Sequence, residues 1–75
     1  MKDAEAAKEK AIRAIAVKRS RIESLGDEIE ELERALPLEA KKRISNAPQM
    51  RQQLAAKQRE VSALRADVAR LEGGL

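Results

Sequence analysis

Two rows of large aliphatic residues, one on either side of a proline, constrain this chain more than any other feature. The first row is Ile15, Ile22, Leu25, Ile29, Leu32 and Leu36, and the second is Met50, Leu54, Val61, Leu64, Val68 and Leu71. Steps of three or four gather such side chains on one stripe of an α-helix, the pattern of a two-helix zipper. Pro37 lies between the rows; it lacks a backbone donor and crowds the preceding turn, so the first helix is expected to end there. The spacing therefore predicts a helix over 3–35, a short helical connector over 37–46 and a second helix over 48–72.

Local signals agree with that division. Ala4, Ala7 and Ala11 extend the first stripe towards the N-terminus, Lys18 interrupts it, and Asp3 and Glu5 suit the positive end of a helix dipole. Gly26 costs about 1 kcal/mol relative to alanine inside a helix. Ile22, Leu25, Ile29 and Leu32 keep phase across it, so the reading is one continuous helix, with a kink at the glycine as the alternative. Ser45-Asn46 ahead of Pro48 is a helix-start signal, and Gly73-Gly74 are a stop. With 14 alanines, no threonine and no Phe, Trp or Tyr, the chain has the composition of long helices rather than strands.

Folding the second row back on the first gives eight layers without a slip. They are Leu36 with Ala47, Leu32 with Met50, Ile29 with Leu54, Leu25 with Lys57, Ile22 with Val61, Lys18 with Leu64, Ile15 with Val68, and Ala11 with Leu71. Charge makes the same point independently. Residues 23–39 carry seven acids and one base, whereas residues 40–59 carry six bases and no acid. Each block is misplaced for its own helix dipole, and side-by-side antiparallel packing offsets this. The fold class expected is all-α: an antiparallel, coiled-coil-like helical hairpin in a single domain, 1–75. So small a domain has a marginal core, and without cysteine or histidine it has neither disulfides nor an ordinary zinc site to reinforce it. Self-association is the remaining aid, and a homodimer in a four-helix arrangement is expected. Ala55, Ser62, Ala66 and Ala69 form the small-residue face assigned to that contact.

Catalysis is not expected. Without His or Cys no Ser–His or Cys–His pair can form, the carboxylates belong to solvated helix faces, and no glycine-rich phosphate loop is present. No metal or other cofactor is expected. Lys18 and Lys57 occupy seam positions; they either set the register, with Asp67 and Glu28 as counter-ions, or lay their stems along the seam and reach water. The first helix has a basic polar side, but its apolar side is mostly alanine, so no membrane partner is expected. The N-terminal segment has no signal-peptide core, and the chain reads as cytoplasmic.

What remains is recognition. Ile12, Ala16 and Val17 lie off the main seam of the first helix. At the turn of the hairpin, Leu38, Lys41, Lys42, Arg43 and Arg51 make a basic tip. These residues are the candidate contacts of a non-enzymatic protein-binding module, a small adaptor or inhibitor that covers a surface on a larger protein. The competing readings are grip on a nucleic-acid backbone through the tip, which lacks aromatic residues for base stacking, and a structural or assembly scaffold.

Overall fold

The structure is a computed structural model that describes the backbone of residues 2–75 and the side chains of residues 5–75. The roles expected of the Asp3 and Ala4 side chains lie outside the described residues. The chain forms two helices, α1 (Lys2–Ala40) and α2 (Ala47–Gly73), and among the described residues no strand. They pack into a rod of 64 × 14 × 13 Å. At 1.5 Å per residue α1 alone is about 58 Å long, so it sets the long dimension. The direction of packing follows from the ion pairs between the helices. Arg19 meets Glu72, Arg21 meets Glu60 and Glu28 meets Lys57, so position on α2 falls as position on α1 rises. The hairpin is antiparallel.

Its core is narrow. Ile15, Leu25, Ala47, Val61 and Val68 are buried, and Leu25, 1% exposed, is the best covered large side chain. Ile22, Ile29, Leu32, Leu36, Met50, Leu54, Leu64 and Leu71 are half-buried. One neighbouring helix covers only part of a helical stripe, and these residues form the rim of the seam. α1 runs unbroken through Gly26, where an added Cβ would meet nothing within 4 Å.

The expected end of α1 needs correction. The helix does not stop before Pro37 but carries it inside and continues to Ala40. Proline deletes one hydrogen-bond donor and strains the preceding turn, yet Pro37 is exposed, so water can meet the carbonyl left without that donor. The extra turn also gains a partner. Glu39 accepts a hydrogen bond from the Asn46 backbone N–H at 3.0 Å and pairs with the Lys42 ammonium at 2.8 Å, while the Lys42 N–H donates to the Glu39 carbonyl at 3.1 Å. The connector is therefore residues 41–46, shorter than 37–46 and without the short helix expected of it, because its helical part, 37–40, belongs to α1; what is left is turn and bend, tied across its mouth. At the start of α2 the Asn46 side chain caps nothing; Ser45 Oγ accepts from the Ala47 N–H at 3.0 Å instead.

Candidate functional site

The seam cations bear on register. Lys18 Nζ lies 3.3 Å from Asp67 and donates a hydrogen bond to it, and Lys57 Nζ lies 3.5 Å from Glu28. Both counter-ions are the expected ones, at the expected register. The two lysine side chains are 30% and 29% exposed, so their stems lie along the seam while their heads meet carboxylates at its edge. The pairs are unequal. Asp67 also receives Arg70, whereas the inner oxygen of Glu28, Oε2, is buried 3.5 Å from the Lys57 ammonium and among the described residues makes no hydrogen bond.

These contacts close one flank of the hairpin. Arg21 and Glu28 are seven residues apart on α1, as are Glu60 and Asp67 on α2, a spacing that keeps each pair on one side of its helix. Arg21–Glu60 at 2.8 Å, Lys57–Glu28 and Lys18–Asp67 thus line the same edge. Arg19, about 200° round α1 from Arg21 at 100° per residue, pairs with Glu72 at 2.7 Å over the opposite edge. Ile12 and Gly26, seven residues to either side of Arg19, border that second flank. On α2, Ala55, Ser62 and Ala69 run beside it at the same spacing, with Ala66 further round; Ala55 is half-covered and the other three are exposed.

The eight candidate contact residues are all exposed, but they do not form one surface. Ile12 and Ala16 sit together around a shallow depression completed by Ile15, Arg19, Glu72 and Leu75. Val17, 70% exposed, points about 140° away from Ile12 round the helix and does not join them. Leu38 is 26 residues further along α1, about 40 Å away. It belongs with Lys41, Lys42, Arg43 and Arg51 at the far end of the rod.

Two residues of these surfaces escaped the sequence reading. Leu75 completes the depression at the open end, where only the fold brings it to Ile12. Ile44, 91% exposed, stands in the middle of the basic tip. Its signal was present in the sequence: it is a large aliphatic residue out of phase with either stripe. Electrostatically the distinctive group at the tip is Glu39. The hydrogen bond from the Lys42 ammonium, then that from the Asn46 amide, hold its carboxyl below the ordinary carboxylate value. Among the described residues no cluster of three or more acidic side chains is placed to share a metal ion, and no helix is long and apolar enough to cross a membrane. No family model, curated protein or solved structure matches the chain.

Proposed function

We infer that the hairpin is a non-enzymatic protein-binding module, an adaptor or inhibitor that covers a surface on a larger protein. The observation that supports this reading best is the apolar cluster at the open end. Ile12 is 55% and Leu75 48% exposed, with Ala16 between them and the Arg19–Glu72 pair on their rim. An aliphatic centre with a charged rim is the anatomy of a protein contact. A stiff rod carrying such a cluster acts by occlusion, since it brings steric bulk rather than reactive groups.

The half-covered rim of the seam supports a homodimer, with Ala55, Ser62, Ala66 and Ala69 facing the second copy to make four helices. Sedimentation should then give twice the chain mass, and a monomer at all concentrations would remove the dimer from this reading. For the protein contact, a photo-crosslinking residue placed at Ile12 in host cells should trap a discrete partner. The same group at Asp27, on the polar outer face, should not. Equal yields from both positions, or none from Ile12, would overturn the assignment.

A further inference from the structure

We propose that the connector end of the hairpin docks on an anionic lipid bilayer, with Ile44 entering the headgroup layer and Lys41, Arg43 and Arg51 meeting the lipid phosphates. This contact is independent of the open-end cluster assigned to protein binding. It departs from the expectation of no membrane partner only as a surface contact, since among the described residues no helix is long and apolar enough to cross a membrane.

Ile44 is 91% exposed on the connector and Leu38 66% exposed on the last turns of α1, yet the connector is tied down. Glu39 holds Asn46 and Lys42, and Ser45 holds Ala47, so the aliphatic side chain is displayed from an ordered turn. Lys41, Lys42 and Arg43 immediately precede it, and Arg51 lies about 6 Å into α2. Exposed aliphatic groups among cations suit an interface that is apolar below and negative above.

Shape favours a bilayer over a protein as the occupant. The rod is narrow, 14 × 13 Å across its long axis, so its end is a small target. A standard protein interface takes roughly 800 Å² of accessible surface from each partner. A fluid surface needs no matching cavity and responds to each cation separately, by about fivefold in affinity per charge near the surface. Nucleic acid would use the same cations, but its phosphates have no use for Ile44, and the chain has no aromatic residue to stack on bases.

The acidic block does not cancel this attraction if the rod stands end-on. Glu39 is already engaged by Lys42 and Asn46. Glu33 is seven residues back from the end of α1, about 10 Å, and Glu30 and Glu31 are further still; that exceeds the screening length of about 8 Å at physiological salt. A rod lying flat would bring those acids to the surface, so the charge pattern selects the upright pose.

Flotation with phosphatidylcholine vesicles, with and without phosphatidylserine, tests the proposal. Binding is expected only when phosphatidylserine is present, and it should weaken as salt is raised. Lys41→Glu with Arg43→Glu should abolish it, and Ile44→Ser should weaken it about tenfold, the worth of inserting one aliphatic side chain. Arg59→Glu with Arg65→Glu, the same change in net charge away from the tip, should leave most of it. The chain has no cysteine, so Ile44→Cys carrying a polarity-sensitive dye gives a second readout: a blue shift on the vesicles, absent for Asp27→Cys. The proposal is overturned by absence of flotation, by equal loss in the Arg59/Arg65 variant, or by indifference to Ile44→Ser.

Discussion

Two residues show how far local chemistry decides this structure. Gly26 sits in the middle of α1 with a helical backbone, and an alanine Cβ there would meet nothing within 4 Å. The glycine therefore costs helix stability with no compensating steric need inside the hairpin. Gly26→Ala should stabilise the fold by up to about 1 kcal/mol, read as a higher denaturant midpoint with unchanged slope. Glu39 is the opposite case, a residue whose charge is used. Its carboxyl titrates below its ordinary value because Lys42 and the Asn46 amide favour the charged form. A depressed folded-state pKa means the connector tie is present above the unfolded value, near 4.3, and is lost as pH falls through the folded one. Protection of the Asn46 amide, the slowing of its exchange relative to an unstructured chain at the same pH, should accordingly fall as the solution is acidified through the folded value. In Glu39→Gln, which keeps an acceptor but not the charge, that protection should be lower at neutral pH and nearly independent of pH.

At the scale of the elements, the seam lysines separate two roles that look alike in the sequence. Asp67 keeps Arg70 when Lys18 is removed, whereas Oε2 of Glu28 is buried without a hydrogen bond and loses its 3.5 Å pairing when Lys57 is removed. Lys18→Met places an apolar chain between Ile15 and Ile22 on the seam and should be neutral or slightly stabilising. Lys57→Met should cost about 1 kcal/mol, held to that size because Glu28 is partly open to water. Thermal unfolding of the two variants in parallel measures the difference. The stripes, the pairing direction and both counter-ions were legible because helical periodicity and charge blocks are properties of the sequence itself. The end of α1 was not. Whether a proline stops a helix depends on whether its freed carbonyl reaches water and whether the next turn finds a partner, and Glu39 finds one seven residues on. Ile44 was missed for a related reason: a connector weighed by its charges hides the one apolar residue that the fold leaves uncovered. The eight contact residues separated into distant surfaces because Ile12 and Val17 diverge round the helix and the tip is a rod-length away.

The whole molecule poses a question of sufficiency. Five side chains are buried, and eight more on the two stripes are only half-covered. Domains under about 70–80 residues rarely draw more than 3–5 kcal/mol from a single core. Leu25, 1% exposed, lies at the middle of the seam, where both helices continue in either direction and neither can close in to fill a gap. Leu25→Ala should therefore fall within the 2–5 kcal/mol seen for truncating buried aliphatic residues, comparable to everything a lone hairpin has. The two assembly states then give different outcomes. In an isolated hairpin the variant unfolds at every concentration. In a dimer that covers the rim, association supplies what the truncation removes, and helicity returns as the chain is concentrated, because whatever binds only the folded form stabilises it by mass action. Circular dichroism of Leu25→Ala over a wide concentration series reads this directly. Recovery of helix at high concentration, with a rising melting midpoint, is expected of a hairpin that completes its core with a second copy. A flat, unfolded signal throughout would mean that the narrow seam carries the fold alone.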